Sequence, residues 1–352
     1  MQQIANECSD VRRIKFDIIS RAAVAEALLR TLEADVDAPY KPNIVTYNAI
    51  MKIWSKAAHV LAEGNGRGNI NDVFHALDDV FIPEELMNDV KQIVSARDAA
   101  LHASSILSSL ETKYLTGESD VYPDCRGYSI VMDGWNKSRA KDSSEHVQKM
   151  FKRMKQWSTD GVNNVKSLGL TEDQIEEGLV HTEAKDWVAI KPNAVTYSIT
   201  IESIRKESDN IVGDTDHLVK LLEKEYEENQ DHNFKPDIGI ANALIKSCLN
   251  NAQYISGRGG KHQKSMISMS WKTAKKIDEV YGRWNRKYKA TGDVDYRPNI
   301  STVNMLIEAY ARCGDIVATE MAQSVFDTLV KEWKETNDEQ LKPTAKTFTA
   351  VS

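Results

Sequence analysis

The sequence predicts an all-α fold made of stacked helix-turn-helix repeats. Three observations carry this prediction. Six of the eight prolines stand in one recurring frame. Behind each frame, apolar or large side chains return at i, i+3, i+4 and i+7, the buried stripe of an amphipathic helix. A second amphipathic segment then follows before the next frame. Neither helix of such a pair can bury its stripe alone, so neighbouring pairs have to stack.

The frames are Lys41-Pro42-Asn43, Tyr122-Pro123-Asp124, Lys191-Pro192-Asn193, Lys235-Pro236-Asp237, Arg297-Pro298-Asn299 and Lys342-Pro343-Thr344. Proline followed by Asn, Asp or Thr marks a chain reversal and a helix start. The stripes behind the frames are Tyr47, Ile50, Met51, Trp54; Tyr128, Val131, Met132, Trp135; Tyr197, Thr200, Ile201, Ile204; Ala241, Leu244, Ile245, Cys248; and Val303, Leu306, Ile307, Tyr310. A sixth copy begins at Phe348 and Val351. Second helices are predicted over 96–114, 144–157, 217–226, 271–288 and 318–333. A similar segment at 22–32 reads as the second helix of an earlier repeat. The chain thus divides into an N-terminal segment with a partial repeat (1–43) and repeats at 44–124, 125–193, 194–237, 238–299 and 300–344. A truncated sixth repeat starts at 345–352. The aromatic members of the stripes read as core, because their apolar companions share one helix face.

The frames are unevenly spaced, and polar, glycine-bearing stretches take up the excess. Residues 64–68 open an insertion between the helices of the first repeat, residues 160–190 extend the second, and residues 256–261 interrupt the fourth. Surface loops tolerate such insertions at small entropic cost, and mobility is expected in them. The first insertion has room for a short helix at 83–93.

Composition narrows the function. Lys and Arg number 45 against 52 Asp and Glu, a net charge of −7. That argues against indiscriminate coating of nucleic acid and leaves a locally basic groove open. Apolar residues at 41% and charged residues at 28% belong to a folded chain rather than a disordered one. No apolar run approaches the roughly 18 residues of a membrane span, so no membrane association is expected. Cys8, Cys125, Cys248 and Cys313 lie far apart with no CxxC, against a disulfide scaffold and a cysteine zinc site. Residues 1–17 lack the apolar region of a signal peptide, and Glu7, Asp10 and Asp17 among Arg12, Arg13 and Lys15 make a poor transit peptide. The chain stops inside a predicted helix, as a fragment would.

No constellation of catalytic residues emerges. Gly257 to Lys261 resembles a phosphate loop only superficially, with Ile255 where its first glycine belongs and His262 after the lysine. His181-Thr182-Glu183 lacks the PCxxC partner that a zinc deaminase requires. No enzyme activity, cofactor or metal is therefore expected. A basic run between Arg258 and Lys289 suits either phosphate contacts or the solvated outer face of a second helix, and charge runs are more often the second.

The frame and the helix start behind it resemble the pentatricopeptide repeat family. Lys41-Pro42-Asn43-Ile44-Val45-Thr46-Tyr47-Asn48-Ala49-Ile50 and Lys191-Pro192-Asn193-Ala194-Val195-Thr196-Tyr197-Ser198 carry the likeness most clearly. It covers residues 22–352 and is strongest in first helices and connectors. The family's units of about 35 residues lack the long insertions seen here. The resemblance implies a monomeric, right-handed α-α superhelical solenoid that binds single-stranded RNA at roughly one base per repeat.

The resemblance also implies which side chains read the bases. One reader follows the tyrosine position of each first helix: Asn48, Ser129, Ser198, Asn242, Asn304 and Thr349. The second follows the next proline. The pairs are Asn48 with Asp124, Ser129 with Asn193, Ser198 with Asp237, Asn242 with Asn299, and Asn304 with Thr344. The family's pattern would read them as U, A, G, C (or U) and a pyrimidine. Such side chains offer both donors and acceptors, but the same residue types also cap helices. A third position wedges between bases. Val45 and Val195 fit it, Arg126 offers a guanidinium plane, and Gly239 and Ser301 do not fit. The implied setting is a mitochondrion or plastid, with roles in RNA processing, stability, editing or translation and with protein partners in an RNA complex. The alternative is a helical-repeat scaffold that binds protein, as tetratricopeptide arrays do.

Overall fold

A computed structural model of the chain describes residues 11–35, 40–63, 95–160, 190–204, 211–256, 271–313 and 316–351, with positions 86, 88, 90, 92 and 93. The stretches 64–68 and 257–261, the extension after residue 160, His181 to Glu183, and most of 83–93 lie outside these residues. The described residues form twelve α-helices and no strand. They are α1 (Val11–Ala34), α2 (Ile44–Glu63), α3 (Ala96–Leu115), α4 (Cys125–Ser138), α5 (Ser143–Asp160), α6 (Ala194–Ser203), α7 (Ile211–Asn229), α8 (Ile238–Ser256), α9 (Trp271–Thr291), α10 (Ile300–Ala311), α11 (Ile316–Thr336) and α12 (Ala345–Val351). The chain forms two compact units, Met1–Pro192 and Asn193–Ser352.

The first helices start where the prolines predict, and the reason is local. Asp124, Asn193 and Asn299 are N-caps whose side chains accept from the backbone N–H of Gly127, Thr196 and Thr302. Thr196 and Thr302 return the bond to the cap's own backbone N–H. Asn43 with Thr46 repeats the reciprocal pattern, and in the last frame Thr347 accepts from the Thr344 N–H. Each cap contributes about 1 kcal/mol.

Within each unit the helices pair in a regular order. In the first, α2 packs on α1, α3 and α4, and α4 packs on α3 and α5. In the second, α8 packs on α6, α7, α9 and α10, and α10 packs on α9, α11 and α12. A first helix thus meets its own second helix, the second helix before it, and the neighbouring first helices. The stripes form the core: Tyr47, Trp54, Tyr128, Trp135, Tyr197 and Tyr310 are all buried.

Buried aromatic N–H and O–H groups need partners, and the preceding second helix supplies them in the first unit. Trp54 Nε1 donates to Glu26 Oε2 at 2.9 Å, and Trp135 Nε1 donates to Ser104 Oγ at 2.8 Å. The hydroxyls of Tyr47 and Tyr128 donate to Glu33 and Glu111. Glu26, 3% exposed, also meets Arg30 at 2.8 Å and His102 Nε2 at 2.6 Å. Glu111 pairs with Arg153, and Glu33 with Lys113 at 2.7 Å. Burial alone would push the Glu26 carboxyl up. The hydrogen bonds and charges of His102 and Arg30 outweigh it and hold the group below its ordinary value. At Glu111 burial wins over Arg153 and the Tyr128 hydroxyl, and the carboxyl is raised.

Two close approaches set the α2–α4 contact. A Cβ on Gly134 would stand 2.6 Å from Ser55 Oγ and 3.1 Å from Ser55 Cα. One on Gly127 would stand 2.8 Å from Asn48 Oδ1. A larger residue at Gly134 would have to displace Ser55, and one at Gly127 would have to move the Asn48 side chain.

The connectors of the second unit are linked to one another. Gln230, Gly292 and Asn337 turn left-handed after α7, α9 and α11. Asp231, Asp293 and Asp338 then cap a short 3₁₀ turn before the next proline frame. The basic residue of one frame reaches the turn of the next. Lys235 meets Asp293 and Asp295 at 2.6 Å each, and Arg297 pairs with Asp338. This accounts for two of the basic residues that precede proline. In the basic run, Arg283 meets Asp216 at 2.9 Å and Lys287 meets Glu223 at 2.7 Å, both on α7. These two cations are occupied by protein carboxylates.

Candidate nucleic-acid interface

The predicted reader pairs take different geometries. At the α2–α4 contact, Asn48 Nδ2 donates to both Asp124 carboxylate oxygens, at 3.1 and 3.2 Å. The same carboxylate accepts the Gly127 N–H at 2.7 Å. Asp124 therefore caps α4 and orients Asn48 at once. A carboxylate only accepts, so the amide must turn its nitrogen toward Asp124. Asn48 Oδ1 then faces Gly127 with no hydrogen-bond partner, and Asn48 as a whole is 5% exposed. Asp124 is the more exposed member of the pair.

At the α8–α10 contact the two residues are linked rather than touching. Thr302 Oγ1 lies 2.7 Å from Asn242 Oδ1 and 3.2 Å from Asn299 Oδ1. The shorter contact takes the hydroxyl proton. Asn299 is held as N-cap by the N–H groups of Ser301 and Thr302. Asn242 is half-buried, and its NH₂ group donates to no other described residue.

The other predicted readers take separate roles, each within its own unit. Ser129 donates back to Cys125 O at 2.8 Å on its own helix. Its predicted partner Asn193 caps α6 in the other unit. Ser198 is half-buried, and Asp237 accepts the Ile240 N–H at 3.2 Å, with no hydrogen bond between them among the described residues. Asn304 is 5% exposed and its Oδ1 has no partner, while the Thr344 hydroxyl lies 3.2 Å from Thr347 Oγ1. Thr349 is exposed and donates back to Ala345 O.

The three wedge positions are all at the surface. Val45 is 65% exposed, Val195 is 55% exposed, and Arg126 is exposed. Continuing along α2 from Val45 at helical spacing, Ala49, Lys52 and Lys56 are also exposed. The sequence reading did not single out Lys52 and Lys56. Their signal was available as the offsets i+7 and i+11 from Val45, on a helix with no carboxylate before Glu63. It also missed Thr302, Gly127 and the carboxylate Glu26, which stands at a stripe position with Ala22, Ala23 and Leu29.

Among the described residues no cluster of three or more His, Cys, Asp or Glu is placed to hold a metal, and no helix is long and apolar enough to cross a membrane. No protein-family model matches the sequence, and a search of curated proteins finds no match.

Proposed function

We propose that this chain binds single-stranded RNA sequence-specifically, as a pentatricopeptide-repeat-like array that reads about one base per helix pair. Each unit is then a stretch of right-handed α-α superhelical solenoid, and the protein acts by occupancy in an organellar RNA pathway. The observation that supports this most is the meeting of the two residues of one reader pair. Asn48 is bonded to Asp124, and Asn242 is linked to Asn299 through Thr302. A reader at one helix start thus fixes the cap of the next helix, and at the α2–α4 contact the more exposed Asp124 presents the polar edge. Side chains held by caps and by each other lose little freedom on binding a base. Val45, Val195 and Arg126 stand on helix starts as wedges between bases.

The five pairs predict a core target of U-A-G-C-pyrimidine. Stacking contributes about 1–3 kcal/mol per base, so five positions give modest affinity. The test is a titration of RNA containing UAGCU against a scrambled RNA of equal composition, with wild type and Ser198→Asn. Selective binding that moves from G toward U at the third base in the variant is expected. Equal binding of both RNAs refutes the base assignments. Absence of binding refutes the RNA reading and favours a protein-binding scaffold.

A further inference from the structure

The cations on the proposed RNA face are unequally available, and the difference follows from where carboxylates stand. On α2, Lys52 and Lys56 share the exposed stripe with Val45, and neither forms an ion pair among the described residues. At the same offset of eleven from the wedge position, α4 carries Lys137 and Arg312 caps the C-terminal end of α10. Lys137 meets Asp133 at 2.6 Å, four residues back on its own helix. Arg312 pairs in the same way with Glu308. On α8, Lys246 at offset seven meets Glu202 of α6 at 2.6 Å. Each of these three cations sits beside its own carboxylate, so the local charge is near zero. A phosphate approaching such a pair gains the cation and meets the carboxylate together.

We propose that the phosphodiester backbone of the bound RNA is gripped at α2 by Lys52 and Lys56, and that Asp133, Glu308 and Glu202 neutralise the equivalent cations elsewhere. This rests on the RNA-binding reading and adds where the backbone is held. At offsets seven and eleven the electrostatic grip is confined to α2, while Arg126 at the start of α4 faces a base as a wedge. The acidic partners then keep the chain from binding RNA regardless of sequence, consistent with its net charge of −7.

The test measures the salt dependence of UAGCU-RNA binding by the full chain between 50 and 200 mM salt. Each phosphate neutralised on a single strand contributes a slope of about −0.7 in log K against log salt. Lys52→Ala with Lys56→Ala should flatten the slope by about 1.4, removing a roughly sevenfold salt effect over that range. The loss of affinity should be equal for matched and scrambled RNA. Lys137→Ala should leave the slope unchanged. Asp133→Asn, which frees Lys137, should steepen it by about 0.7 and tighten binding at low salt. A slope indifferent to Lys52 and Lys56, or one flattened equally by Lys137→Ala, overturns the proposal while the RNA reading stands. If wild type binds neither RNA at 50 mM salt, the RNA reading fails and this proposal fails with it.

Discussion

Replacing Asp124 tests the arrangement at the α2–α4 contact most directly. Its carboxylate accepts one bond from the Gly127 N–H at 2.7 Å and two from Asn48 Nδ2 at 3.1 and 3.2 Å. Asp124→Ala removes the cap, costing about 1 kcal/mol. It also strands the Asn48 amide nitrogen at a buried site, costing a further 1–3 kcal/mol or so. The expected total is about 2–4 kcal/mol. Asn48→Ala should be nearly neutral. It gives up the bond to the carboxylate but also removes the Asn48 oxygen, which is buried without a partner. The double variant should then cost little more than the lost cap, leaving a coupling of about 1–3 kcal/mol between the two sites. Asn193→Ala, which removes a cap alone, is the internal standard at about 1 kcal/mol. Urea unfolding followed by circular dichroism measures all four. If Asp124→Ala costs no more than Asn193→Ala, or if the two α2–α4 substitutions add without coupling, the carboxylate does not hold Asn48 and the argument fails.

Two further outcomes follow from the packing. Because Glu26 is held below its ordinary value near 4.3, it adds stability at neutral pH. That stability is lost as pH falls through the depressed folded value. Urea midpoints from pH 7 to pH 3 should therefore show Glu26→Gln less stable by about 3–5 kcal/mol at pH 7, with the gap closing toward pH 3; a gap independent of pH contradicts the network. Gly134→Ala should destabilise by about 1–3 kcal/mol through overpacking against Ser55, and Ser55→Gly in the same chain should recover most of it in thermal melts.

The helix starts were legible because capping is a short-range event. Asp124 and the Gly127 N–H it accepts are three residues apart, as are Asn193 and Thr196, so proline, Asx and the stripe behind them carry the whole instruction. The cores of α2, α4 and α10 were legible for the same reason: i, i+3, i+4, i+7 is a property of one helix. Asn48 and Asn242 looked equivalent at this level, since both follow the same stripe position. They differ because α4 brings a carboxylate to Asn48, whereas α10 brings a threonine hydroxyl to Asn242.

By itself, then, the sequence determined where the helices begin, which face of each is buried, and that they come in pairs. Those features depend on neighbours a few residues apart, whose geometry a helix dictates. Only the tertiary structure decided what each buried polar group meets. Glu26 finds Trp54 and His102 across helices α2 and α3, and Lys235 finds Asp293 and Asp295 in the following connector. It also decided that Gly127 and Gly134 lie where α2 comes closest. Such contacts join residues far apart in the chain, and a carboxylate or a glycine on a helix looks the same in sequence whether a partner or water will face it. Side-chain chemistry was local information, but burial and partnership arose only when the helices stacked.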